Sequence, residues 1–288
     1  MLSGIDDRSY LQVGEPIALL PGVVRLLSPN ASVMTGPGTN TYLVGTQDLV
    51  VIDPGPDDVV HLERITKFAK GRIRYVVVTH SHRDHAPGAR RLARLTGATL
   101  LGFDERPNFV PDGRIIEGDT LTTDTVRLEA LHTPGHSSDH LCFVGDPIGG
   151  NGARILFSGD HIMQGSTVVI GPPDGDMGDY LNSLRRVSRI DPPLDLIAPG
   201  HGMLIEDPSA AIDAYISSRK RREESIYQAL LNKSMRAGEL VSLIYEGLPD
   251  ELIRHARRSV WAHLRKLHAE RLVRTDDPDD EESIWERK

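Results

Sequence analysis

The stretch Thr79-His80-Ser81-His82-Arg83-Asp84-His85 follows the apolar run Ile73-Arg74-Tyr75-Val76-Val77-Val78. Three histidines and one aspartate therefore sit on the turn that leaves a buried strand. Imidazole nitrogens and carboxylate oxygens are ligands for divalent cations. Two imidazoles two positions apart at a strand end can converge on one ion, and the Asp84-His85 pair around the bend faces a second. Further ligands are available in Thr133-Pro134-Gly135-His136, in Leu156-Phe157-Ser158-Gly159-Asp160 and in Ala198-Pro199-Gly200-His201-Gly202. His136, Asp160 and His201 each stand where an apolar run meets a Gly or Pro turn, the place where functional side chains sit on a rigid scaffold.

The elements that must position these groups can be read from periodicity. Short apolar runs predict strands at Val23-Leu27, Thr41-Val44, Leu49-Ile52, Arg74-Thr79, Thr99-Leu101, Thr120-Leu121, Val126-Leu131, Leu141-Val144, Ile155-Ser158 and Leu194-Ala198. Helical spacing predicts helices over His61-Lys70, ending at Gly71, over Ala89-Leu95, ending before Gly97, and around Tyr180-Val187. Strands flanked by helices, with ligands only at strand ends, fit an α/β fold of two stacked sheets covered by helices. Asp53-Pro54-Gly55-Pro56 is a turn in which Asp53 is read as a supporting residue, and Asn40 as the closure of the Gly36-Thr41 turn.

From about Asp207 the pattern changes. A helix runs through Tyr215 and Ile216 into Arg219-Lys220-Arg221-Arg222-Glu223-Glu224, a charge run that reads as a solvated helix face. Met235 to Val273 reads as three short helices, the third at Ala256-Glu270, with a turn at Gly247-Leu248-Pro249. This order suggests a small winged-helix module. The run Asp276-Asp277-Pro278-Asp279-Asp280-Glu281-Glu282 reads as a loose tail or a charged wing loop. The expected domains are 1–206 catalytic, 207–234 a linking helix, 235–275 winged-helix-like and 276–288 an acidic C-terminal segment.

At 288 residues, 39% hydrophobic and 26% charged, the chain has the composition of a globular protein with room for one large and one small domain. The formal net charge of -8 argues against a polynucleotide-binding surface spread over the whole molecule. Cys142 is the single cysteine and reads as a core thiol, in keeping with a reducing compartment. The start Met1-Leu-Ser-Gly-Ile-Asp-Asp lacks the basic, then apolar, order of a secretory leader. The expectation is a cytoplasmic protein with no membrane partner.

At its ligand positions the chain resembles the metallo-beta-lactamase superfamily, whose signature reads His-x-His-x-Asp-His, then His, Asp and His. The resemblance implies an αββα four-layer sandwich and two metal ions, with His80, His82 and His136 on the first and Asp84, His85 and His201 on the second, bridged by Asp160. It covers about residues 15 to 206. The stretches Gly165-Ser166-Thr167-Val168-Val169, Gly178-Asp179-Tyr180-Leu181-Asn182-Ser183-Leu184 and Tyr215-Ile216-Ser217-Ser218-Arg219 extend it to the lactamase-beta-like subfamily. That subfamily includes a mitochondrial endoribonuclease and ends in a winged-helix module.

Ligands without a thiolate favour two Zn2+ and leave Mn2+ or Fe2+ open. The function these observations imply is metal-dependent hydrolysis, with Asp84 as both ligand and proton carrier. Single-stranded RNA is the favoured substrate, on the strength of the subfamily and of Arg219, Lys220, Arg221, Arg222, Arg257, Arg258 and Arg265. A small ester or thioester, as in glyoxalase II or lactonase chemistry, is the alternative, and nucleic-acid binding without catalysis comes third. His140 reads as a hydrogen-bonding partner or a leaving-group donor. A homodimer contact through the C-terminal helices is left open.

Overall fold

The computed structural model describes residues 11–147, 152–165, 167–231, 233–245 and 247–288. The N-terminal Met1–Asp7 stretch and Ser166 of the subfamily motif lie outside the described residues. The described parts of Met1–His132, Asp139–Ser166 and Ile190–Pro208 make one compact unit, and those of Thr133–Ser138, Thr167–Arg189 and Ser209–Lys288 a second.

The first unit contains two sheets. One comprises β1 (Ile17–Leu20), β2 (Val23–Leu27), β3 (Asn40–Val44), β4 (Leu49–Ile52), β5 (Ile73–Val77), β6 (Thr99–Gly102) and β7 (Gly113–Arg114), in that spatial order. The strands from β1 to β4 pair antiparallel and those from β4 to β7 parallel. The parallel crossovers after β4 and β5 are helices α1 (Val59–Ala69) and α2 (Pro87–Thr96). The other sheet has the order β12 (Leu196–Pro199), β11 (Ile155–Gly159), β10 (Leu141–Pro147), β9 (Val126–His132) and β8 (Thr120–Thr122).

Alternation along the strands assigns side chains to two cores. Tyr42, Val44, Val50, Ile52 and Val77 share one core with Leu128, Ala130, Leu141, Phe143, Ile155 and Phe157 of the second sheet. Leu43, Leu49, Val51 and Val76 point the other way, into a core with Leu62 and Ile65 of α1 and Ala89 and Leu92 of α2. Covering both faces explains why β3 and β4 are buried at every position, and why Leu49–Ile52 reads as a continuous apolar run. Tyr42 joins the two sheets: its ring meets Phe157 edge-on at 5.1 Å, and its hydroxyl donates to the Pro199 carbonyl at 2.7 Å.

Helix ends follow local chemistry. The Asp58 side chain accepts the His61 N–H at the start of α1, so the helix begins two residues before the His61 that periodicity marks. Pro87 opens α2, and Gly97 closes it in the left-handed region at φ 70°. The edge strands β1 and β7 are short, at four and two residues, and their weak patterns left them unread in the sequence.

The second unit holds α3 (Met177–Val187), α4 (Pro208–Ala229, from Ser209 on) and the module β13 (Met235–Arg236), α5 (Ala237–Ile244), α6 (Asp250–Ala269), β14 (Val273–Arg274) and β15 (Ile284–Arg287). α6 starts six residues before the expected Ala256, because Asp250 and Glu251 form an acidic first turn directly after Pro249. β15 pairs with both β13 and β14, so the acidic run of residues 276–282 is the connection between two paired strands. Trp285, Trp261, Leu264, Leu240 and Ile226 form the core of this module. Among the described residues, no helix is long and apolar enough to cross a membrane.

His263 lies in this core, fully buried, with Nδ1 3.3 Å from Glu223. Burial outweighs the Glu223 carboxylate and pushes the imidazole down to about 4. The unfolded chain takes up a proton near pH 6.5 that the folded chain resists, so stability is lost as pH falls from about 6.5 towards 4. The expected loss at about pH 5 is roughly 2 kcal/mol relative to pH 7 for this residue. Urea unfolding of the second unit at both pH values measures it. His263→Gln should remove that part of the pH dependence, and an unchanged pH slope in the variant would refute the assignment.

Candidate metal centre

β4, β5, β11 and β12 end at one edge of the first unit, and β10 begins there, because β4 pairs parallel with β5 and β11 parallel with β12 while β10 runs antiparallel to β11. This edge gathers Asp53, the Thr79–His85 turn, Asp139, His140, Asp160 and His201. Four of these side chains, Asp84, His85, Asp160 and His201, present ligand atoms within 4.8 Å of one another. His85 Nε2 lies 3.3 Å from Asp160 Oδ1 and 3.6 Å from Asp84 Oδ2. His201 Nε2 lies 3.1 Å from Asp84 Oδ2 and 3.4 Å from Asp160 Oδ1.

The rings are aimed from behind. His85 Nδ1 donates to Asp53 Oδ2 at 2.8 Å, and His201 Nδ1 donates to the Gly38 carbonyl at 3.0 Å. With each Nδ1 committed as a donor, each Nε2 can turn a lone pair towards the carboxylates, which is how a ligating histidine is oriented. His80 and His82 form a neighbouring pair, with His80 Nε2 at 2.9 Å from His82 Nδ1 and His80 Nδ1 at 3.0 Å from Thr79 Oγ1. Thr79 Oγ1 in turn donates to Asp53 Oδ2 at 2.7 Å, and the Thr79 N–H donates to Asp53 Oδ1 at 2.7 Å. One carboxylate, buried to 2% exposure, therefore stands behind both His80 and His85.

The charges are self-consistent for a cation site. Burial alone would raise Asp84 and Asp160, but the adjoining imidazoles hold Asp84 at about 2 and Asp160 well below the usual carboxylate range. The same carboxylates overcome burial at His201, raising it to about 9, and raise His85 in the same direction. His80 is pushed well down, by burial first and then by the charges of His85, His82 and His140, so its ring is neutral. Space is reserved as well: a Cβ on Gly200 would lie 2.7 Å from Asp160 Oδ1 and 2.8 Å from His85 Cε1. Nitrogen and carboxylate donors converging on one point, with no thiolate, fit a borderline or hard divalent cation.

His136 belongs to the second unit, in the loop of residues 133–138. That loop is held against α3, where the Asp176 N–H donates to Gly135 O at 2.9 Å and Ser183 Oγ donates to Pro134 O at 2.9 Å. Gly135 has φ 139° and approaches Tyr180 so closely that a Cβ there would lie 2.3 Å from the Tyr180 Cα, so only glycine fits. His136 Nδ1 donates to Val169 O at 2.7 Å, the same backing that aims the Nε2 of His85 and His201.

The supporting residues were only partly legible in the sequence, His140 as a hydrogen-bonding partner and Asn40 as a turn residue. Asn40 does more than close a turn: its Nδ2 donates to Pro199 O and Gly202 O, both at 2.9 Å, and pins the loop that carries His201. His140 is fully buried, and its Nε2 accepts the Asp160 N–H at 3.2 Å, which is a positioning contact. Asp139 and the Gly38 carbonyl were not singled out. Asp139 sits in the polar run Ser137-Ser138-Asp139-His140 and carried no signal of its own, and a backbone carbonyl carries none.

Two sheets with a helix layer and a strand-end cluster of His and Asp define a hydrolase of the metallo-beta-lactamase fold. Residues 34–201 match the metallo-beta-lactamase superfamily and residues 237–285 the beta-lactamase associated winged helix domain, and the chain belongs to that superfamily. It is 32% identical over 285 residues to a beta-lactamase-like protein 2 homolog of Drosophila melanogaster, covering 92% of this chain and 94% of that protein. It is 31% identical over 236 residues to an atrochrysone carboxyl ACP thioesterase of Aspergillus fumigatus, covering 80% of this chain and 71% of the relative. A beta-lactamase domain protein of Burkholderia ambifaria shares the fold, with a TM-score of 0.79 at 20% identity over 96% of this chain and 94% of that one.

Proposed function

We propose that this hydrolase cleaves acyl thioesters and depends on two divalent cations, zinc foremost. His80, His82 and His136 would hold one ion, Asp84, His85 and His201 the other, and Asp160 both. When bound, such ions lower the pKa of a water towards ~7 and polarise a carbonyl oxygen. The protein supplies the rest. Asp53 and Gly38 O hold the His85 and His201 rings in one tautomer. Asp84, whose side chain is 27% exposed and reaches His201 at 3.1 Å, is the group placed to accept a proton at the open side.

The observation that carries the thioester reading over RNA is the fate of the basic residues. Arg257 pairs with Glu281 at 2.6 Å and Glu282 at 2.8 Å, and Arg265 with Asp279 at 3.0 Å, all in the loop between β14 and β15. Arg258 donates to Pro172 O at 2.7 Å, Arg219 donates to Val168 O, and Arg222 sits 3.9 Å over the Tyr245 ring. Exposed pairs of this kind are individually worth about 1 kcal/mol or less, so they would not alone exclude a phosphate. The balance of charge is the stronger argument. Residues 235–288 hold ten Lys and Arg against twelve Asp and Glu, a net of -2, which opposes the attraction a polyanion needs. Of the basic residues that pointed to RNA, Lys220 and Arg221 remain on the exposed face of α4. The thioesterase among the relatives supports the same direction.

The test is a parallel assay of the metal-loaded protein on acyl thioesters and on a short single-stranded RNA, at low and high salt. Thioester turnover should reach the enzymatic range of ~10⁴ M⁻¹s⁻¹ or more with little salt dependence. Asp84→Asn should lower it by about 100-fold or more. Salt-sensitive RNA cleavage with inert thioesters would overturn the reading.

A further inference from the structure

We infer that Asp139 is a positioning residue for the His80–His82 pair, acting through the peptide that joins His80 to Ser81. Asp139 stands two residues before β10, buried to 3% exposure. Its Oδ2 accepts the Ser81 N–H at 3.1 Å, and Arg106 Nε lies 3.6 Å from the same oxygen. Ser81 separates the two histidines, so this contact fixes the plane of the peptide on the C-terminal side of His80.

The N-terminal side is fixed from the same strand and from Asp53. The Leu141 N–H donates to Thr79 O at 2.7 Å, which sets the peptide entering His80, and Thr79 N–H goes to Asp53 at 2.7 Å. His80 is thus held by hydrogen bonds to the peptides on both flanks. His140, next in the chain, holds the Asp160 N–H at 3.2 Å. The consecutive residues 139, 140 and 141 therefore brace three points of the candidate site, and Asp139 is the one that does so with a charge. A buried carboxylate needs compensation, which the amide and Arg106 provide. The functional requirement is the place of the acceptor oxygen, which holds the peptide between His80 and His82, whose Nε2 and Nδ1 lie 2.9 Å apart.

Two variants separate position from charge. Asp139→Asn keeps an acceptor oxygen in place and removes the charge. Asp139→Glu keeps the charge and moves the oxygen by one methylene. Cobalt substitution reads the geometry without substrate, through the visible absorption of the ion held by the histidine pair, with thermal melting as the control for folding. Asp139→Glu should change that absorption, while Asp139→Asn should leave it as in the wild type. The rate arm rests on the thioester reading: Asp139→Glu should lower kcat by about 10-fold to 100-fold with KM within about 3-fold, and Asp139→Asn should stay within about 3-fold on both. The inference is overturned if the Glu variant matches the wild type in the cobalt spectrum, or if the Asn variant is the one impaired, which would make the charge the requirement. If no thioester is turned over, only the function reading fails, and the spectrum still decides the role of Asp139.

Discussion

Replacing Asp53 with asparagine is expected to reduce turnover by about 100-fold or more although the side chains have nearly the same shape. The amide oxygen can still accept the Thr79 N–H, as Oδ1 does at 2.7 Å. The amide nitrogen, however, replaces the oxygen that now accepts from His85 Nδ1 at 2.8 Å and from Thr79 Oγ1 at 2.7 Å. In the neutral ring that ligation requires, a donor in that place needs a lone pair on His85 Nδ1, which leaves the one ring proton on Nε2. Nε2 is the atom facing Asp84 and Asp160, and a protonated nitrogen cannot ligate. Because the number of hydrogen bonds is nearly kept, folding stability should change by only about 1 kcal/mol. Asp53→Ala, which strands the partners of a buried charge, should cost about 3–5 kcal/mol. Metal content, turnover and melting of the two variants test this together. Full metal content and near-normal turnover in Asp53→Asn would show that the His85 tautomer is not what this carboxylate controls.

Metal loading is expected to release about two protons at roughly pH 7.5. In the metal-free chain the carboxylates of Asp84 and Asp160 raise His201 to about 9 and raise His85 likewise, so both rings are cationic at neutral pH. A ligating imidazole must be neutral, so an incoming cation displaces those protons. Affinity should therefore rise steeply with pH, by up to ~100-fold per unit while both rings remain protonated. The sign for folding is the opposite. The stabilisation that His201 provides is complete below its unfolded value of about 6.5 and is lost as pH rises through about 9. Titration calorimetry of Zn2+ binding in two buffers of different ionisation enthalpy counts the protons. A buffer-independent heat would rule out the protonated pair.

The two predictions rest on contacts that are unequally visible in the chain. His80, His82, Asp84 and His85 could be named from seven residues at the end of an apolar run, because the last positions of that run, Val76 to Val78, are buried and make its end conspicuous. Asp160 and His201 were legible for the same reason, each following a short apolar run and a glycine. The helices α1 and α2 were legible through their spacing, but their first residues depended on Asp58 and Pro87 at the caps. The C-terminal module was legible as helices, but Met235 to Val273 holds two, α5 and α6, rather than three, because the stretch from Asp250 to Ala256 continues into one long α6.

Residue types and their local spacing determined the candidate ligands, the alternation of strands and helices, and the small C-terminal module, since these depend on neighbours within a few positions. Only the tertiary structure decided what aims the ligands. The Gly38 carbonyl reaches His201 across 163 positions, Asn40 reaches Pro199 across 159, and Asp53 reaches His85 across 32. Asp53 and Asn40 were legible as loop residues but not by their partners, and the Gly38 carbonyl has no signature at all, because every residue has a carbonyl. Their roles arise when strand register brings distant ends to one edge. The same holds for Arg257 and Arg265, which read as open cations along one helix and become half of an ion-paired surface once β15 returns the acidic loop beside them.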